Sequence, residues 1–179
     1  IQNDTYLEDQ PTPTELSLSP ELPPAETRPP NESYCIFKEL RDARAKTPSN
    51  FRLSHLNINS LKHKFSDVKS ILHDNLTDFL VISETKIDAS YRDALFDVKN
   101  YKLHRRDRTA SGGGIATWVR ADLAARRMEN LECKETELIV TEIKMENTKC
   151  LIYSAYRPPS TQPAFFLIDC QLPWIKDLN

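Results

Sequence analysis

Two hydrophobic periods run through this chain. At 61–72 the apolar residues Leu61, Phe65, Val68, Ile71 and Leu72 fall at offsets 0, 4, 7, 10 and 11, one face of an α-helix. Ser60 stands where a cap belongs. Next, "TDFLVISET" (77–85) carries a continuous apolar run over 79–82, short and β-branched. That pattern predicts a strand covered on both faces. A first strand is predicted at 51–56. Strand, helix, strand in that order predicts a layered sheet with helices outside.

Further along, "DASYRDALF" (88–96) reads as a short capped helix. "YKLHRRDR" (101–108) and "IATWVR" (115–120) read as strands. Their connection holds Gly112, Gly113 and Gly114, all the glycines of the chain. "ELIVTEIKM" (137–145) and "KCLIYSAY" (149–156) form a predicted hairpin, with Asn147 as a turn residue. "RPPS" ends it, because paired prolines cannot continue a ladder. A helix is expected over 163–178, started or interrupted by Pro173. There are no internal repeats.

Charge changes the picture at the N-terminus. The net charge of −2 hides −6 on residues 1–33, which leaves +4 on the remainder. Those 33 residues also hold seven of the twelve prolines. Such a segment buries too little apolar surface to offset its ordering entropy, so it is expected to be a disordered tether. We therefore expect an acidic, proline-rich segment over 1–50, with a short helix at 34–45, and a folded domain over 51–179. No charged leader precedes an apolar core, and no apolar run reaches the roughly 20 residues that span a bilayer. Cys35, Cys133, Cys150 and Cys170 lack metal-knuckle spacing and read as thiols in a reducing compartment. His55, His63, His73 and His104 show no i, i+4 pairing, which argues against zinc.

Polar chemistry gathers at predicted strand ends. Asn57 follows the first strand in "HLNINSL", Glu84 follows the second in "ISETK", and Tyr156 and Arg157 end the last. Ligands in α/β sheets gather beyond strand ends, so Asn57, Glu84 and Tyr156 are expected to converge. Taken singly, Asn57 is equally a turn former and Glu84 an exposed turn acid. "SGGG" lacks the Lys-Ser/Thr of a phosphate loop and reads as a hairpin connection. The cluster Lys102, His104, Arg105, Arg106 and Arg108 is either a solvated strand face or a phosphate-contacting stripe.

Together, "HLNINSL", "DFLVISETK", "HRRDRTASGGGIATWV" and "IYSAYRPPS" resemble the endonuclease domain of non-LTR (LINE-type) retrotransposons. That domain belongs to the endonuclease/exonuclease/phosphatase superfamily, and the resemblance covers about 51–179. It implies a deoxyribonuclease-like four-layer α/β sandwich and Mg2+-dependent hydrolysis of DNA phosphodiesters, with Mn2+ as an alternative. It implies that Asn57 orients phosphate and catalytic groups, Glu84 is the metal ligand and Tyr156 contacts phosphate. Arg105, Arg106, Arg108 and Arg157 are the implied DNA contacts. A reverse transcriptase would be fused to the full-length parent, made in the cytoplasm and acting on nuclear DNA.

The family pattern continues into a Gly-Asp-x-Asn motif and a terminal histidine. Here "DLN" (177–179) lacks the preceding glycine and reads as a helix end, and no histidine follows His104. The chain also begins with isoleucine. The expectation is therefore a fragment, incomplete at its C-terminal side and weak or inactive as a nuclease. Alternatives are a phosphatase of the same fold and a non-catalytic remnant that binds nucleic acid.

Overall fold

The computed structural model describes residues 21–22, 30–133, 135–146 and 148–163, and of 30–36 the backbone alone. Of the helix expected over 163–178, residues 164–178 lie outside the described residues, as do Cys170, Asn147, the end 177–179 and most of the acidic segment.

The chain is an α/β sandwich. Its first sheet has the order β1-β2-β4-β3, with β1 Leu53–Asn57, β2 Phe79–Ser83, β3 Tyr101–Arg106 and β4 Ile115–Arg120. Helix α2, Leu61–His73, connects β1 to β2, which run parallel as a helical crossover requires. The β2–β4 and β4–β3 pairs are antiparallel. The second sheet has the order β5-β6-β7, with β5 Ala125–Arg127, β6 Glu137–Met145 and β7 Thr148–Tyr156, all antiparallel.

The two sequence periods explain the layers. The helical face Leu61, Phe65, Val68 and Leu72 packs on one face of the first sheet, against Leu80, Ile82, Ala116 and Trp118. Trp118 anchors this layer. Its ring stacks on Phe65, and its Nε1–H donates to Phe96 O at 3.1 Å, so no buried donor is left unpaired. Alternate residues Phe79, Val81, Ile115 and Val119 point the other way and meet Ile139 and Ile143 of the second sheet. β2 is thus buried on both faces, as its unbroken apolar run requires. The described residues supply a helical layer and two sheets of the expected sandwich.

Three local expectations are corrected. Ser60 makes no side-chain cap to α2: its φ of 101° turns the backbone so that its N–H donates to Glu84 O at 2.9 Å. The helix expected at 88–96 reduces to a 3-10 turn, Asp93–Phe96. Asp88 instead accepts from the N–H and hydroxyl of Ser90, an Asx turn that competes with helix. β5 was not anticipated, because three residues are too few to show a period.

Helix α1, Pro30–Lys46, encloses the short helix expected at 34–45. Ion pairs tie it to the base of the first sheet: Arg41 to Asp74 at 2.6 Å and Arg44 to Asp78 at 2.9 Å. Asp78 is 3 % exposed and also takes Arg120 at 2.5 Å and the Arg52 N–H at 2.8 Å. Among the described residues no helix is long and apolar enough to cross a membrane.

Candidate active site

The opposite end of the sandwich gathers the polar strand ends. Pairing of β1 with β2 places Asn57 beside Ser83, so Glu84 emerges one residue beyond Asn57's neighbour. The second sheet brings Tyr156, the last residue of β7, to the same end. Glu84 Oε1 accepts two hydrogen bonds, from Asn57 Nδ2 at 3.1 Å and from Tyr156 Oη at 2.8 Å. Asn57 Oδ1 accepts the Asn59 N–H at 3.2 Å, which fixes which way its amide points. Lys86 Nζ lies 4.0 Å from Glu84 Oε2 and donates to Asn59 Oδ1.

The Asn57 and Tyr156 hydrogen bonds hold the Glu84 carboxyl below its usual range, and the charges of Lys86 and Arg108 reinforce this. Burial and the Glu84 contact push the Tyr156 hydroxyl up. At neutral pH the pair is therefore an anionic carboxylate held by a neutral phenol.

The backbone here is unusual. Asn59, Ser60, Glu84 and Lys86 all have positive φ, at 48°, 101°, 54° and 50°. Left-handed conformations in non-glycine residues cost energy and persist only where surrounding contacts impose them. Two clamps do so. The start of α2 donates Ser60 N–H to Glu84 O at 2.9 Å and Leu61 N–H to Thr85 O at 2.8 Å. The glycine segment accepts Thr85 N–H on Gly114 O at 3.2 Å and Lys86 N–H on Gly113 O at 2.9 Å. A Cβ on Gly114 would stand 2.2 Å from Thr85 Oγ1. The glycines thus let two backbones approach, a closer role than a loose hairpin connection.

The expected arginines divide. Arg105 faces the helical layer, is 9 % exposed, and is held by Asp93 and Asp107 and by Tyr91 O, over the Phe96 ring. Arg106 points to the inter-sheet side, where Glu132 stands 3.7 Å away. Arg108 lies at the rim and pairs with Glu137 at 2.9 Å. Arg157 is exposed beside Tyr156 and donates to Thr161 O at 2.6 Å. The structure brings Asn57, Glu84, Tyr156 and Arg108 together, and sets Arg105 apart in an internal network.

Glu137 is the site neighbour that sequence reasoning missed. It starts β6 opposite Tyr156 and accepts the Gly114 N–H at 2.5 Å. The signal was present, since alternation from Ile139 through Thr141 to Ile143 puts Glu137 on the buried face.

A hard cation prefers carboxylate oxygen, and Mg2+ takes one or two carboxylates and keeps several waters. Glu84 fits such a cation as a single anionic anchor, with Oε2 as the oxygen not shared by Asn57 and Tyr156. Among the described residues no group of three or more His, Cys, Asp or Glu side chains forms a metal cage.

No protein-family model matches the chain, and no curated protein sequence does. Solved structures resemble it at low identity. The endonuclease domain of TRAS1, a telomere-specific non-LTR retrotransposon, is 15% identical with a TM-score of 0.49, covering 72% of this chain and 54% of that one. An AP endonuclease from Archaeoglobus fulgidus is 16% identical with a TM-score of 0.42, covering 72% and 49%. The 3'-5' exonuclease NExo from Neisseria meningitidis is 19% identical with a TM-score of 0.41, covering 56% and 40%. This chain spans 40–54% of the length of these structures.

Proposed function

We propose that this chain carries one wall of a metal-dependent phosphodiesterase site that acts on DNA, of the kind found in retroelement endonucleases. The observation that carries the reading is the sharing of Glu84 Oε1 by Asn57 and Tyr156, from three separate strand ends. An ionised carboxylate beside an amide and a phenol suits a phosphate and its counter-cation. Mg2+ held at Glu84 would polarise a phosphoryl oxygen and offset developing negative charge. Asn57 and Tyr156 orient the carboxylate and can each turn a donor toward a phosphate oxygen without adding negative charge. Lys86 and Arg108 add positive field at the same end. Arg108 and Arg157 at the rim are the proposed DNA contacts. In the parent, a reverse transcriptase and nuclear action belong to the same reading.

With one carboxylate and no cage among the described residues, cation binding is expected to be weak and turnover by 1–179 low. The test is nicking of supercoiled plasmid with Mg2+, beside salt-dependent DNA binding, in wild type and Glu84→Ala. The expected result is salt-sensitive binding with slow nicking that Glu84→Ala removes. Nicking that persists in Glu84→Ala would defeat the assignment of this site. Binding without any metal-dependent cleavage would favour the non-catalytic reading, and hydrolysis of small phosphate esters without DNA binding the phosphatase reading.

A further inference from the structure

We infer that Glu137 is a positioning residue for the Asn57–Glu84–Tyr156 site, a clasp that holds the glycine segment against the second sheet and so fixes where Glu84 points. The inference rests on the reading of that site as a phosphate and cation site.

A carboxylate is costly on the inner face of β6, whose next inward residues are Ile139, Thr141 and Ile143. The Glu137 side chain is only 9 % exposed. Packing alone would be served by an apolar residue, so its two partners define what the acid does. Oε2 accepts the Gly114 N–H at 2.5 Å, and Arg108 Nη1 stands 2.9 Å from Oε1. Arg108 in turn donates from Nε to Gly112 O at 3.0 Å. Glu137 thereby grips the glycine segment at both ends, directly at Gly114 and through Arg108 at Gly112.

That segment is one of the two clamps on the turn after β2. Gly114 O and Gly113 O receive the N–H groups of Thr85 and Lys86. These amides lie within the turn in which Glu84 and Lys86 hold positive φ. If the glycine segment moves off, one clamp is lost, and the turn is free to relax toward ordinary φ. Glu84 would then swing away from Tyr156.

Sheet register gives the clasp its second arm. Glu137 lies directly opposite Tyr156 in the β6–β7 ladder. One residue thus sits beside the phenol from the second sheet and holds the segment that positions the carboxylate from the first. The Tyr156–Glu84 hydrogen bond spans two sheets, and Glu137 is placed to set the separation it must span.

The test is amide hydrogen exchange by NMR on the 179-residue chain, with Mn2+ binding read by paramagnetic broadening. In Glu137→Ala, the amides of Thr85 and Lys86 should exchange about tenfold faster, while Leu80 and Ile82 inside β2 keep their protection. Mn2+ affinity should fall about tenfold. Glu137→Gln keeps an oxygen for Gly114 but loses the charge that pairs Arg108, so it should fall between wild type and Ala. It also serves if the alanine variant does not fold. Unchanged exchange at Thr85 and Lys86 would overturn the clasp, as would a uniform rise across β2 and β4, which marks general destabilisation. Glu84→Ala separates the two readings. If it leaves Mn2+ binding intact, the site assignment fails, and the clasp is still judged by exchange.

Discussion

Tyr156 and Glu84, 72 residues apart in sequence and on different sheets, share a 2.8 Å hydrogen bond. The phenol donates and the carboxylate accepts, so the contact depends on a neutral tyrosine and an ionised glutamate. Its pH dependence follows in sign. The folded Glu84 pKa is lowered, so its contribution is present above the unfolded value and is lost as pH falls through the folded one. The folded Tyr156 pKa is raised, so its contribution is present below the unfolded value and is lost as pH rises through the folded one. Glu84→Gln should flatten the acid arm of stability against pH, and Tyr156→Phe the alkaline arm. Tyr156→Phe should also cost about 1 kcal/mol near neutral pH, since Glu84 keeps some solvent access. Urea unfolding across pH checks both. An alkaline arm unchanged in Tyr156→Phe would show that the phenol is not linked to folding.

Gly114→Ala should destabilise the chain by about 1–3 kcal/mol and disturb the site. Its φ of 85° is unfavourable for alanine, and the added carbon would press on Thr85. Gly112→Ala meets only the end of the Arg108 side chain, at 3.1 Å, and should be nearly neutral. Chemical denaturation of the two variants side by side tests this. Equal effects would remove the case for close approach at Gly114.

Asp78→Ala should cost about 2–3 kcal/mol, because it removes the buried acceptor shared by Arg44, Arg120 and the Arg52 N–H, while Arg120 keeps Asp122 and Arg44 keeps Asn75 O. It should also loosen α1, which reaches the sheet through Arg44. Faster exchange of α1 amides at Lys38 and Arg41, beyond the global change, is the expected signature. Exchange that rises no more in α1 than elsewhere would show that Asp78 does not dock this helix.

Arg105 and Arg157 should behave oppositely. Arg105→Ala should destabilise the fold, since its guanidinium holds Asp93, Asp107 and the Tyr91 carbonyl from a nearly buried position. Arg157→Ala should leave stability within about 0.5 kcal/mol. On the DNA-binding reading it should also reduce the salt dependence of binding by about one phosphate contact. Thermal unfolding and binding at several salt concentrations separate the two. Loss of DNA affinity in a stably folded Arg105→Ala would reverse these roles.

What the sequence determined by itself is local and periodic. The apolar face of α2, the doubly buried β2 and the β6–β7 hairpin are each written within a short window. In each, backbone geometry converts spacing directly into a face. The strand-end positions of Asn57, Glu84 and Tyr156 were legible for the same reason. The tertiary structure decided everything that depends on a partner distant in sequence. β5 exists because Ala125 and Arg127 pair with Ile143 and Thr141, not through any period of its own. Ser60 gave up capping because Glu84 O claims its backbone N–H. Five basic residues near 101–108 looked like one stripe, but strand alternation and buried acids divided them between two faces. The positive φ at Glu84 arises only once α2 and the glycine segment clamp its turn, and the hold of Glu137 on Gly114 only once two sheets meet. A lone residue does not adopt a left-handed, buried and charged arrangement in water, because only the packed surroundings offset its cost.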